Sequence, residues 1–236
     1  MDFIEIPCSD GRLIRLKVKE VIYKGSSRSQ EIAIYNTEEF GRCLFLDGII
    51  QSSEKDHELY DEQLLKKLRP SDRNILILGG GDGFIAEKAL KINPGINVTI
   101  VDLDEEVVNV CKRYLSQRVF NNPRVRVVIR DALDFVLNIK GEIFDGIISD
   151  LTDFPVGYDN KLRELFSKIL SESRRILKED GWISLYGGVK GLIDKEGQQV
   201  IDLLNNILKE NFPTTDCYET LIPSFGEPCY FLYGLK

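Results

Sequence analysis

Three patterns predict an α/β fold: a mostly parallel seven-stranded sheet preceded by a small antiparallel β unit. From residue 74 onward, continuous apolar runs alternate with helical stretches. In the first 51 residues, an alternating apolar and charged segment is followed by two short strand-like runs. The last two β-like segments have no helix between them. The 236 residues suit one to two domains of about 100–200 residues each. We divide them into an N-terminal β-hairpin domain, 1–52, and a Rossmann-like domain, 53–236.

Taken in order, Arg12-Leu13-Ile14-Arg15-Leu16-Lys17-Val18-Lys19 has the period of a half-buried strand. Glu31–Tyr35 and Arg42–Leu46 are two more strands, with turn residues from Asn36 to Gly41 between them and Asp47-Gly48 after the second. Asp56 to Leu68 carries leucines at helical spacing, closed by Pro70 and Ser71. Asn74–Leu78 is continuously apolar after its first residue, as in a strand buried on both faces. The same signature recurs at 98–101, 125–129 and 146–149, and more weakly at 182–186. Helical stretches lie between the strands, at 84–92, 104–116, 132–139, 161–178 and 195–210. Segments at about 214–221 and 229–235 must join as a hairpin, which makes the last strand antiparallel to its neighbour. Six parallel strands and one reversed strand make the architecture of the class I methyltransferase fold, a Rossmann relative.

Composition excludes several classes. Apolar residues make up 43% and charged residues 29%, which is ordinary globular usage. A net charge of −7 argues against a nucleic-acid surface and favours a cationic partner. The single histidine, His57, excludes a site needing two histidine ligands from one chain. The five cysteines are scattered and never paired as CxxC, so neither a zinc ribbon nor a disulfide scaffold is expected. Reduced thiols and a cytoplasmic location follow. No window is apolar for 18 residues, so no membrane span is expected, and the start of the chain lacks the apolar core of a signal peptide.

Leu78-Gly79-Gly80-Gly81-Asp82-Gly83 follows the first buried strand and opens a helix. Such a loop lets the backbone approach a ligand closely. Asp102 ends the second strand, where a carboxylate can accept from both ribose hydroxyls. Asp131 follows the third strand, where it and the Ala132 N–H can read an adenine edge. Asp82 inside the loop would repel a pyrophosphate and attract an ammonium. The three strand ends therefore suit a cationic adenosyl compound better than a dinucleotide.

Four stretches carry a resemblance to the polyamine aminopropyltransferases, the spermidine and spermine synthases. Gly41–Gln51 resembles a GRxLxLDGxxQ hairpin, and Glu54–Glu62 an ExDExxYHE helix start. Gly79–Gly83 is similar to a GGGDG loop, and Ser149–Asp153 to a DSxD segment. The resemblance implies that Gln30, Asp61, Gly79, Gly81, Asp82, Asp102, Asp131 and Ala132 hold decarboxylated S-adenosylmethionine. It implies that Tyr60, Asp150, Asp153 and Phe225 hold the amine, with Asp150 the general base. It also implies a homodimer or homotetramer, no metal, and no cofactor beyond that co-substrate.

Departures cluster on the acceptor side. His57 stands where the pattern has Glu, and Asp61 where it has His or Gln. Phe154 is inserted after Asp153, Tyr186 and Gly188 replace Gln and Glu, and Phe225 replaces Tyr. An acceptor longer than putrescine, or differently shaped, is expected. Two other readings fit the same residues: an S-adenosylmethionine-dependent methyltransferase, and a catalytically silent polyamine-binding homologue.

Overall fold

A computed structural model of the chain describes residues 2–8, 11–115, 118–151, 160–189 and 196–236. A first sheet holds β1 (Asp2–Pro7), β2 (Leu13–Ser26), β3 (Glu31–Thr37), β4 (Gly41–Leu46) and β5 (Ile49–Ser53). They pair in chain order, each antiparallel to the next. One face packs Ile32, Ile34, Leu44 and Leu46 against Val107, Val110 and Cys111, which come later in the chain. The opposite face carries a separate cluster of Ile6, Leu16, Cys43, Phe45 and Ile50. The two-residue side-chain period of the strands makes these two faces.

After α1 (His57–Leu64) come β6 (Asn74–Gly79), α2 (Phe84–Ile92), β7 (Asn97–Asp102), α3 (Glu105–Tyr114), β8 (Val125–Ile129) and α4 (Ala132–Asn138). Then follow β9 (Phe144–Asp150), α5 (Asn160–Ile176), β10 (Leu177–Val189), α6 (Glu196–Asn211), β11 (Thr214–Ile222) and β12 (Glu227–Leu235). The seven-stranded sheet has the order β11-β12-β10-β9-β6-β7-β8. Only β12 runs against its neighbours, as the hairpin requires. Leu76 and Leu78 of β6 face α4, α5 and α6, while Ile75 and Ile77 face α1 and α2. Both faces of β6 are covered, which is why it reads as a continuous apolar run. By contrast, β8 is an edge strand with no buried residue, so the apolar run at 125–129 does not mark a strand buried on both faces.

The chain leaves β6 toward β7 and β8, then returns to lay β9 on the other side of β6. That reversal leaves a crevice at the carboxyl ends of β6 and β9, where open sheets bind ligands. Gly79 and Asp150 are direct partners in register there.

Several boundaries differ from the sequence reading. β1 was not expected, because it is a short edge strand whose pairing is long-range. β5 was expected only as the second arm of the Gly41–Gln51 hairpin and runs on to Ser53 past a bulge. β2 runs on to Ser26, past the alternating segment, through two register shifts against β3. α1 stops at Leu64 although leucines continue to 68, since the chain beyond turns toward Pro70. β10 begins at Leu177, where Lys178 to Gly181 resembles a turn; its pairing with β9 breaks between Leu177 and Trp182.

Candidate active site

A cavity of about 160 Å³ lies at the switch point between the two sheets. Gln30, Tyr60, Gly79, Gly81, Asp82, Asp102, Asp150 and Phe225 all line it. Their convergence follows from topology. β6, β7 and β9 end on one edge, α1 enters from the first sheet, and the β11–β12 turn closes over the opening.

The Gly loop is shaped by contact with its neighbours. Gly79 has φ +84°, and a Cβ there would lie 2.0 Å from the Asp150 carbonyl oxygen. A Cβ on Gly81 would lie 2.5 Å from Asp102 Oδ2. The bare backbone instead lets the Gly81 N–H donate to the Asp102 carboxylate. Asp82 Oδ1 accepts from the Phe84 N–H at 3.0 Å, which fixes its carboxylate at the start of α2.

Asp150 ends β9, and its Oδ1 accepts from the Tyr60 hydroxyl at 2.5 Å. Burial pushes the Asp150 carboxyl up to about 7; the Tyr60 bond opposes this, and nearby Asp82, Asp61 and Asp102 add to it. Burial likewise raises Asp82 and Asp102. The cavity therefore concentrates carboxylates whose charge a cation would relieve. Among the described residues, no three His, Cys, Asp or Glu side chains are grouped as ligands for a metal. Tyr60 also anchors an aromatic wall, with ring centroids 5.4 Å from Tyr186, 5.9 Å from Phe225 and 5.2 Å from Phe231. A Cβ at Gly188 would meet nothing within 4 Å, so that position is open.

The remaining expected residues lie elsewhere. Asp61 is 1% exposed and lines a smaller adjoining cavity with His57, Tyr60, Asp82 and Asp150. Gln30 reaches the main cavity, but its Nε2 donates to Asp104 Oδ2 at 3.0 Å. Asp131 and Ala132 are not among the cavity's lining residues. They begin α4 one strand further out, where Asp131 caps the helix through the Asp134 N–H at 2.8 Å. Asp153 and Phe154 lie outside the described residues.

Three acids were missed. Asp104 caps α3 and also accepts from Ser27 Oγ at 2.6 Å, which ties the β2–β3 turn to the second sheet. Asp56 is buried and accepts from Ser53 Oγ, the Ser224 N–H at 2.7 Å and Ser224 Oγ at 2.9 Å. It thereby fastens the β11–β12 turn to the start of α1. Glu227 is 3% exposed, lines the cavity and lies 4.0 Å from Arg12. Asp104 and Asp56 are legible as residues preceding a helix. Their partners are 77 and 168 residues distant and leave no local signal.

Residues 42–234 match the family model described as the spermine/spermidine synthase domain, and residues 2–54 match the spermidine synthase tetramerisation domain. The chain belongs to the spermidine/spermine synthase family. A polyamine aminopropyltransferase of Pyrobaculum calidifontis is 38% identical over 97% of this chain and 80% of its own length. Polyamine aminopropyltransferase 2 of Caldanaerobacter subterraneus subsp. tengcongensis is 35% identical over the whole chain and 79% of its length. Spermidine synthase from Thermotoga maritima superposes with a TM-score of 0.87 at 26% identity, covering 100% of this chain and 80% of that one. A spermidine synthase solved with the transition-state analogue AdoDATO gives 0.88 at 27%, with the same coverage.

Proposed function

We propose that the chain transfers the aminopropyl group of decarboxylated S-adenosylmethionine to an amine of a polyamine, releasing methylthioadenosine. The observation that carries this is Asp150, held by Tyr60 at the switch point and facing the Gly loop. The donor has a sulfonium and an ammonium but no carboxylate, which suits a loop containing Asp82. Asp102 would take the ribose, and Gln30, Asp131 and Ala132 would complete the nucleoside contacts.

The acceptor amine enters protonated, with a pKa of about 10 like a lysine. Asp150 takes one proton from it directly or through water. The freed nitrogen lone pair attacks the aminopropyl carbon bonded to sulfur. A C–N bond forms as the C–S bond breaks, and its electron pair returns to sulfur to give the neutral thioether. Placing both reactants in one cavity makes the step effectively unimolecular. No metal or additional cofactor enters this scheme.

Along the acceptor side, Tyr60, Tyr186 and Phe225 form an aromatic wall, with Glu227 as a further carboxylate. Asp153 would add another. This wall favours a chain longer than putrescine, its far ammonium shared between Glu227 and solvent. We assign the first sheet to self-association as a homodimer or homotetramer, and the reaction to the cytoplasm, where five free thiols stay reduced. No helix among the described residues is long and apolar enough to cross a membrane.

The test is product analysis by mass spectrometry with both S-adenosylmethionine and its decarboxylated form, against a panel of amines. Aminopropylated product from the decarboxylated donor alone is expected. A methylated amine would overturn the reading in favour of a methyltransferase, and no product from either donor would favour a silent binding protein.

A further inference from the structure

His57 Nδ1 lies 2.7 Å from Asp61 Oδ2, one turn along α1. The pair is nearly buried, with side chains 12% and 2% exposed. Helix stability does not account for it. A cation at a helix N-terminus with its anion four residues later is the less favourable orientation on both dipole and pairing grounds. Burial adds a desolvation cost that a surface pair would not meet. The imidazole also lies flat on Phe84, with centroids 3.8 Å apart and planes 12° from parallel. Phe84 is the residue whose N–H holds Asp82. His57, Phe84 and Asp82 thus form one stack joining α1 to the Gly loop, and the small cavity beside it is shared by Asp61, Asp82 and Asp150.

We propose that His57 is a positioning residue of the donor site, holding the Asp61 carboxyl group beside Asp82 and Asp150 so that three acids surround a dicationic donor. This rests on the donor assignment above. Three carboxylates around one small chamber repel one another, and without a cation one of them takes up a proton. The Asp61 carboxyl stands at about 7, raised by burial even with the His57 hydrogen bond and charge pulling it down, so the loss of His57 would raise it further. Burial lowers the imidazolium, but Asp61, Asp82 and Glu58 outweigh it and the net shift is upward. The charged groups facing the pair are Glu54 and Glu58 near the start of α1, Asp82 from the loop, Lys88 from α2 and Asp150 from β9. Lys88 is already engaged by Glu58 and Glu62, at 3.7 and 2.7 Å, which leaves His57 as the cation bonded to Asp61.

The test is calorimetric titration of wild type, His57→Gln, Asp61→Asn and the double variant from pH 6 to 8.5. Two ligands are compared: decarboxylated S-adenosylmethionine, and methylthioadenosine, which lacks both cationic centres. Wild type should bind both; failure to bind the decarboxylated donor would sink the donor assignment itself. His57→Gln should weaken that donor by about tenfold at pH 6.5, the scale of one charge-assisted contact, and methylthioadenosine by less than twofold. The deficit should shrink toward pH 8.5, because Asp61 without its histidine ionises only at higher pH. The double variant should be no worse than Asp61→Asn alone. Equal losses for both ligands, or a deficit independent of pH, would reduce His57 to a packing residue. Asp61→Asn keeps the side chain's shape and makes the same ligand comparison if His57→Gln does not fold; an unchanged donor preference there would overturn the proposal.

Discussion

Asp150 concentrates the chemistry of the site into one carboxyl with two environments. Burial and three neighbouring acids push it up to about 7. When cationic substrates enter, the charged form is favoured again. Activity should therefore rise with pH through about 7 in kcat/KM, and the corresponding limb of kcat should lie lower; a pH–rate series on both parameters checks this. Asp150→Asn should cost about 10²–10⁴ in kcat, measured by turnover. Tyr60→Phe removes a hydrogen bond that favours the carboxylate, so its kcat/KM limb should move to higher pH. Stability should change in the opposite sense to activity. A carboxyl raised above its unfolded value of 3.8 binds more protons in the folded state, so its contribution is present below that value and lost as pH rises through about 7. Asp150→Asn should thus raise Tm relative to wild type at pH 8, with the difference shrinking as pH falls and gone only below about 3.8.

At the scale of elements, the site depends on two close approaches. The end of β6 passes the end of β9 with no room for a Cβ at Gly79, where φ is also positive. Gly79→Ala should cost about 1–3 kcal/mol from the backbone conformation alone, before the clash with Asp150, and lower Tm by at least several degrees on thermal melting. The second approach is the Asp56 tether. Three hydrogen bonds from Ser53 and Ser224 converge on that carboxylate, and Phe225 is the next residue in the turn. Asp56→Ala should loosen the turn and raise KM for the amine more than KM for the donor, as steady-state kinetics with each substrate varied will show. Much of this level was legible beforehand. The buried strands of the second sheet announced themselves as apolar runs, and Gly79–Gly83 as a loop. β1 did not, because an edge strand is defined by its partner more than by its own composition.

At the scale of the whole molecule, the first sheet does two things. One face packs on α3 and brings Gln30 to the cavity, held by Asp104. The first sheet leaves Phe3, Leu13, Val21 and Ile49 exposed at 47%, 59%, 48% and 43%, side chains suited to burial against a second copy. Light scattering on the purified chain should give a dimer or tetramer, and Leu13→Glu with Val21→Glu should shift it toward monomer. Acceptor choice is also set at this scale, since the wall is drawn from α1, β10 and the β11–β12 turn. A comparison of kcat/KM for putrescine, cadaverine, norspermidine and spermidine should place a triamine at least level with putrescine. A tenfold preference for putrescine would overturn that expectation.

The amino-acid sequence by itself determined the layered fold, the order of strands and helices, the Gly loop, and the acids at the ends of β7, β8 and β9. Each of these is written in local periodicity or in a residue type that only one backbone geometry accommodates. It also placed His57 and Asp61 one helical turn apart. Tertiary structure alone decided that Asp61 shares a chamber with Asp82 and Asp150, and that Gln30 is bonded to Asp104. It also decided that Glu227 joins the cavity wall and that Asp56 holds the turn carrying Phe225. These are contacts between residues tens to more than a hundred positions apart. They form because strand crossovers bring distant loops to one sheet edge, and no local pattern encodes which two polar side chains will meet there.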